Sequence, residues 1–436
     1  FASCAYDSGE STVDVVDGGV YAYITEDSSI GVNIGTAGVG VAVAGYGTNG
    51  GRTAAITCTR TSIFLDVTSA SSVFLSLGDT SYGISIGGYG SCGAPSTVSV
   101  TDSQLYARVI QSKVTMETTM GSCYGLAALG FSSSGSDNMM STMQMKRSGV
   151  YALVEQSTVK VYITAFANGV ALLGCATFSR GSNMVSSTES QIMSNIISSE
   201  LSLVGEGGTA GVALFGFGSY AHEESVIESS RTSIFVDIGE GSDIVARGVT
   251  TGNSIAVLGF TSRSSKPSKI TANDTTITVS MNKCQVKASG QSVISVAAFV
   301  AEQVLECTRC KISVLAADST LESEASVGVA GTIAAVLRSP ATVLLQSCVF
   351  EWCAGFGNTI DASAVTANDW AVANTNTPNV PTTDLSIVSY TSSAGDTCPT
   401  NQAQWIAPYV KRVLISARSR LSPDCTGCSW FWGKNI

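Results

Sequence analysis

The stretch Gly211-Val-Ala-Leu-Phe-Gly-Phe-Gly218 recurs along the chain at near-constant spacing, and few folds tolerate such recurrence. Near-copies are Gly40-Val-Ala-Val-Ala-Gly-Tyr-Gly47, Gly83-Ile-Ser-Ile-Gly-Gly-Tyr-Gly90, Gly125-Leu-Ala-Ala-Leu-Gly-Phe131, Gly169-Val-Ala-Leu-Leu-Gly-Cys175 and Ser254-Ile-Ala-Val-Leu-Gly-Phe260. The pattern fades into Ser295-Val-Ala-Ala-Phe299 and Gly328-Val-Ala-Gly331. Used as register marks, these stretches divide residues 8–341 into about eight units of roughly 43 residues. Their approximate spans are 8–50, 51–93, 94–135, 136–181, 182–224, 225–267, 268–303 and 304–341.

Each unit reads as short strands joined by turns. In 94–135, Ser96-Thr-Val-Ser-Val-Thr101, Ser103-Gln-Leu-Tyr-Ala-Arg-Val109 and Ser112-Lys-Val-Thr-Met-Glu117 alternate apolar with polar residues, as strands with one buried face do. Gly125–Phe131 is expected to be a buried strand ending in a tight turn, and Ser132-Ser-Ser-Gly135 a loop. Within several units a small residue also precedes an apolar one by two places, twice, about nine or ten residues apart. The pairs are Ser62 with Ser72, Ser103 with Ser112, and Ser233 with Ser242; Cys284, Cys310 and Cys348 take a similar slot later. Recurrence at fixed offsets is what a solenoid requires, because equivalent residues stack into ladders from coil to coil.

No unit of this kind can bury its own inner face, but stacked neighbours can. The fold expected is all-β: a right-handed parallel β-helix over 1–350, with handedness set by the chirality of parallel crossovers. One unit fits either one wide coil or two coils of about 21 residues. At ~4.8 Å between strands, the rod would then be about 40 Å or about 75 Å long.

Composition changes after about residue 350. All five tryptophans (Trp352, Trp370, Trp405, Trp430, Trp432) and five of the eight prolines lie beyond it. Residues 351–436 are expected to cap the open solenoid end, with a wrapping loop over 366–400 and a short amphipathic helix near 402–420. Lys411, Arg412, Arg418 and Arg420 make that segment basic, which also suits a docking helix. The N-terminal end would be covered by Phe1 to Gly9 or by another subunit.

Net charge is −10, with no basic cluster before the tail, which argues against a nucleic-acid partner. No apolar run approaches the roughly 18 residues of a membrane helix. Thirteen cysteines and a single histidine, His222, favour disulfides over a metal centre. The candidates are Cys307, Cys310, Cys348, Cys353, Cys398, Cys425 and Cys428, and the odd total leaves at least one thiol unpaired within the chain. Asn273-Asp-Thr275 is an N-glycosylation sequon, consistent with a secreted, extracellular or cell-surface location.

No catalytic constellation stands out, and no cofactor is implied. The acids Asp66, Asp79, Asp102, Asp137, Asp237 and Asp274 are scattered rather than clustered, and Glu26-Asp27 reads as a solvated turn. His222-Glu223-Glu224 is the one group able to bind a metal or move protons, although a lone loop histidine beside acids is more often just a solvated turn. The glycine stretches lack the Gly-Lys-Ser/Thr of a phosphate loop.

The slots Ser103-Gln-Leu105, Cys284-Gln-Val286 and Cys310-Lys-Ile312, with the Gly-Val-Ala-Leu-Phe-Gly stretches across 8–350, give the chain a resemblance to a known architecture. It resembles the pectin-lyase-like β-helices of large protist and bacterial surface proteins, such as the dispersed gene family proteins of kinetoplastids and polymorphic outer-membrane adhesins. The resemblance implies structural or adhesive work at a cell surface and carries over no catalytic residue; the Trp-rich tail falls outside it. The function expected is therefore a non-enzymatic structural or adhesive solenoid that assembles with itself or with other surface components. A carbohydrate-active enzyme or glycan-binding module on the same fold is the alternative.

Overall fold

The computed structural model describes residues 4–361 and the strand Leu385–Thr391. Within 4–361 it leaves out 8, 35–37, 51, 78–80, 119–121, 136–138, 164–165, 249–250, 265, 290–291, 302, 325–328, 338–341, 347 and 355–358. Every regular element described is a β-strand, and the strands form four parallel sheets, named A to D here. One coil runs Asn183–Thr188 in sheet B, Gln191–Ile197 in sheet C, Glu200–Gly205 in sheet D and Gly208–Ala221 in sheet A. Asn183 then pairs with Ser225 of the following coil. The repeat is thus one wide, four-stranded coil, and the parallel β-helix is about 40 Å long at ~4.8 Å per step.

Complete coils run from Ser11 to Leu337. Strands Thr342–Gln346, Cys348–Ala354 and Thr359–Asp361 begin another turn, and Leu385–Thr391 pairs with Cys348–Ala354 in sheet C. Pairing therefore continues past residue 350, and 385–391 is strand within the stretch expected to be loop. The helix expected near 402–420 and the rest of the tail lie outside the described residues. At the other end, Cys4–Asp7 pairs with Gly47–Gly50 of the first long strand.

The interior is made of like residues stacked on like. Ile63, Leu105, Val150, Ile192, Ile234, Ile277 and Ile312 occupy one register position of sheet C and are buried. In sheet A, Tyr46, Tyr89, Phe131, Cys175, Phe217, Phe260 and Phe299 form another ladder. Its rings stack face to face, with centroids 5.1 Å apart for Tyr89–Phe131 and 5.2 Å for Phe217–Phe260. Each such pair adds about 0.5–1.5 kcal/mol to what burial alone contributes.

The glycine stretch is not the end of a strand. It lies inside the strand Gly208–Ala221, and Ser132–Gly135 likewise belongs to the strand Ser122–Gly135. Inward residues are Val212 and Leu214 before Gly216, then Phe217 and Ser219 after it. Side chains alternate with period two, so this change of parity needs one extra residue, and the register skips Gly211 and Gly216 in both flanking pairings. Where the skipped position holds glycine, successive coils approach too closely for a Cβ, whereas Ser254, Val293 and Ala298 fill the corresponding positions of later coils. A Cβ on Gly211 would lie 2.6 Å from Ser254 O, and one on Gly216 would strike Gly259 O.

Corners hold hydroxyl ladders. Thr61, Ser103, Ser148, Ser190, Thr232, Thr275, Cys310 and Cys348 are buried where sheet B turns into sheet C, and Ser112, Ser157, Ser199, Ser242, Cys284 and Ser319 where C turns into D. Ser103 Oγ donates to Thr101 O at 2.8 Å and accepts the Thr61 N–H at 3.0 Å, so each hydroxyl ties its own turn to the coil below. Cys284, Cys310 and Cys348 hold the expected slots. Ser62, Ser72 and Ser233 do not: Thr61, Ser71 and Thr232 do, one residue earlier. A single-residue slip reverses the face on which a strand residue lies, which is why these three serines remain partly exposed.

Just before each B–C corner residue stands a charged residue with left-handed backbone: Asp17, Arg60, Asp102, Arg147, Glu189, Arg231, Asp274 and Arg309, with φ between 47° and 55°. Acid and base alternate without interruption. Ion pairs join Arg60 to Asp17 (2.5 Å), Arg147 to Asp102 (2.7 Å), Arg231 to Glu189 (2.7 Å) and Arg309 to Asp274 (2.6 Å). Left-handed backbone is costly for residues other than glycine. The corner offsets the cost by satisfying its amide, as in Arg60 N–H to Thr101 O at 3.0 Å. Arg147→Glu, which sets three acids in succession, should lower the melting temperature, with part of the loss regained at 1 M salt. An equal melting temperature at low salt would show that the alternation is neutral.

Candidate functional surface and cleft

Sheet A differs from the other three in charge. Its eight long strands Gly38–Gly50, Ser81–Gly93, Ser122–Gly135, Phe166–Ser179, Gly208–Ala221, Thr251–Ser264, Ser292–Ala301 and Val329–Leu337 contain a single charged residue, Arg263, and the short edge strand Cys4–Asp7 adds Asp7. Sheet D, by contrast, carries pairs such as Lys160–Glu200 and Lys287–Glu322. On the outer face of sheet A, Leu129, Leu173, Phe215 and Leu258 stand at one register position. Leu129 is 38% and Phe215 48% exposed. Alanines and serines flank this stripe, so the face is flat as well as uncharged. Strands on a solvated face normally carry polar residues at these positions.

At one edge of this face, where sheet A turns into sheet B, lies an open cleft of about 570 Å³. Four successive coils line it. Phe178 and Tyr220 are register partners whose rings stack 5.1 Å apart at an interplanar angle of 5°, and the Arg263 guanidinium lies 6.0 Å from the Tyr220 centroid. Arg180, His222, Ser134, Ser179 and Ser264 complete the wall. Ser179 Oγ donates to Asn183 Oδ1 at 2.7 Å, and Asn183 Nδ2 donates to Tyr220 O, which ties the turn to the strand carrying the platform. The sequence motif His222-Glu223-Glu224 is thereby divided. His222 lines the cleft, whereas the Glu223 carboxylate is engaged by Lys266.

The structure also places the other candidate residues. Cys307, Cys310 and Cys348 are buried and unbridged; contact with Cys307 pushes the Cys310 thiol up, and contact with Cys310 pushes the Cys348 thiol up. Cys58, Cys123, Cys175 and Cys284 are likewise free thiols in the core, and burial holds Cys58 at about 12. Such thiols pack as small apolar residues and are unreactive. Cys92, at the outer edge of sheet A, is exposed. The side chains of Cys353, Cys398, Cys425 and Cys428 lie outside the described residues. Among the described residues, no group of three His, Cys, Asp or Glu side chains is arranged to hold a metal ion.

Asn273 ends a sheet B strand at the ion-ladder corner, and Thr275 is buried as a corner hydroxyl, its Oγ1 within 3.2 Å of Ser229 Oγ. The sequon therefore coincides with a position where every coil from the second to the seventh carries Ser or Thr, and the ladder alone accounts for its threonine. Of the scattered acids, Asp66 pairs with Arg108, Asp102 with Arg147 and Asp274 with Arg309. Asp237 makes no ion pair among the described residues; burial raises it to about 6. Asp79 and Asp137 lie outside the described residues. Glu26 and Asp27, with φ of 61° and 56°, form the expected turn. No helix among the described residues is long and apolar enough to cross a membrane. No family model matches the chain, and no curated protein or solved structure matches it.

Proposed function

We propose that this chain is a non-enzymatic structural or adhesive solenoid of a cell surface or extracellular material, and that it assembles with further copies of itself through the outer face of sheet A. The observation that supports this reading is the uncharged, flat face with its exposed Leu129–Leu173–Phe215–Leu258 stripe. In a chain of net charge −10, contact through any charged face brings like charges together. Contact through sheet A does not, and it removes exposed apolar surface from water at about 25 cal/mol per Å². The surface location rests on the resemblance.

Sedimentation of the purified chain tests the assembly. The wild type should form dimers or larger lateral species as concentration rises, whereas Leu173→Glu/Phe215→Glu should remain monomeric with an unchanged circular dichroism spectrum. Cys92, exposed on the same face, should give interchain cross-links in the wild type only. A wild type that stays monomeric at millimolar concentration would refute lateral assembly.

A further inference from the structure

We infer that the Phe178–Tyr220–Arg263 cleft is a binding site for an acidic saccharide, a sugar ring carrying a carboxylate or sulfate group. Three independent features converge there. Phe178 is 45% exposed although its ring lies nearly parallel to that of Tyr220, so a flat apolar surface faces the cleft. Aromatic faces of this kind pack well against the C–H face of a sugar, which is apolar while its edges carry hydroxyls.

Cations are the second feature. Nine arginines are described, and six of them (Arg60, Arg108, Arg147, Arg231, Arg247, Arg309) are ion-paired. Arg52, Arg180 and Arg263 make no ion pair among the described residues, and the last two line this one cleft. The Glu223 carboxylate, close in sequence, is held by Lys266. Stacking of Arg263 on Tyr220 leaves the edges of its guanidinium free to donate, and a guanidinium takes carboxylate or sulfate oxygens in bidentate fashion.

The third feature is the polar rim. Ser134, Ser179 and Ser264 supply hydroxyls at the wall, the groups that sugar hydroxyls exchange hydrogen bonds with. A volume of about 570 Å³ lies within the range of small-molecule sites, and the cleft is open to solvent. A nucleic acid fits less well: the chain is acidic overall, and no basic stripe leads away from the cleft.

Calorimetric titration of the full chain tests the site with three probes: a glucuronate trisaccharide, the neutral glucose trisaccharide of the same linkage, and inorganic sulfate. The acidic trisaccharide should bind at least ten-fold more tightly than either other probe. Phe178→Ala and Arg263→Gln should each weaken it about ten-fold, with the circular dichroism spectrum unchanged because both side chains are exposed. Equal binding of the neutral sugar would overturn the role of the arginines, and sulfate binding as tightly as the sugar would leave a simple anion site. Unchanged affinity in the Phe178→Ala/Arg263→Gln double variant, or no binding at millimolar concentration, would overturn the site itself. The titration is run at protein concentrations at which the chain sediments as a monomer, because Phe178 and Arg263 stand in the register row of Cys92 on the face proposed for assembly, so failure of the site and failure of assembly are read separately.

Discussion

Gly88→Ala should abolish or severely weaken folding, while Gly87→Ala, one residue away, should be tolerated. A Cβ on Gly88 would run into the carbonyl oxygen of Gly130 in the next coil, and neither backbone can withdraw without breaking the stack. The same collision repeats from Gly45 to Gly259, so no neighbouring coil has room to give. Overpacking against backbone costs about 3 kcal/mol or more, a large share of the stability of any domain. Gly87 faces outward, and the nearest atom to its Cβ would be Val43 O at 3.7 Å, an ordinary contact. There, reduced freedom of the unfolded chain should make alanine neutral or stabilising by about 0.4–1 kcal/mol. Urea unfolding of the two variants is the measurement. Similar midpoints would show that the bend does not require glycine.

Asp237→Asn should stabilise the protein at neutral pH. Asp237 lies on the outer side of sheet C between its register partners Asn195 and Ser280, and burial raises its carboxyl to about 6 from an ordinary 3.8. The folded state thus binds this proton more tightly than the unfolded state, so stability falls as pH rises from about 4 through 6. Two units correspond to about 3 kcal/mol, present in full below the unfolded value and lost at pH 7.5. Asn195 Oδ1 is buried without a partner among the described residues, and a protonated Asp237 or an asparagine brings a donor to its neighbouring rung. The variant should exceed the wild type by about 3 kcal/mol at pH 7.5 and by about 1 kcal/mol at pH 4.5. A gap that does not change with pH would mean that Asp237 ionises freely.

The sequence carries the repeat because stacking is a local demand repeated at each coil. Gly211 and Gly216 recur since each faces backbone, and Cys284, Cys310 and Cys348 recur since corners admit only small side chains. What it blurs is register. Thr61-Ser62, Ser71-Ser72 and Thr232-Ser233 are adjacent small residues, and nothing within the pair tells which one turns inward. Coil size was equally open, because turns inside a coil and turns between coils use the same residues. The ion ladder and the cleft were invisible for another reason. Their members lie one coil apart at intervals that vary from coil to coil, so Phe178, Tyr220 and Arg263 form a group only after stacking. His222 could be singled out alone, but its companions could not. Asp237 looked like any scattered acid because its lack of a cation is a property of its neighbouring rungs.

The alternation from Asp17 to Arg309 has a period of two coils, while the backbone has a period of one. Duplicating or deleting a single coil would keep every strand paired and every glycine seated, yet it would set two like charges side by side at the B–C corner. Duplicating or deleting two adjacent coils would not. Changes in the length of this solenoid are therefore sensitive to parity: its corner charges favour growth by pairs of coils, even though its hydrogen bonds do not distinguish odd from even.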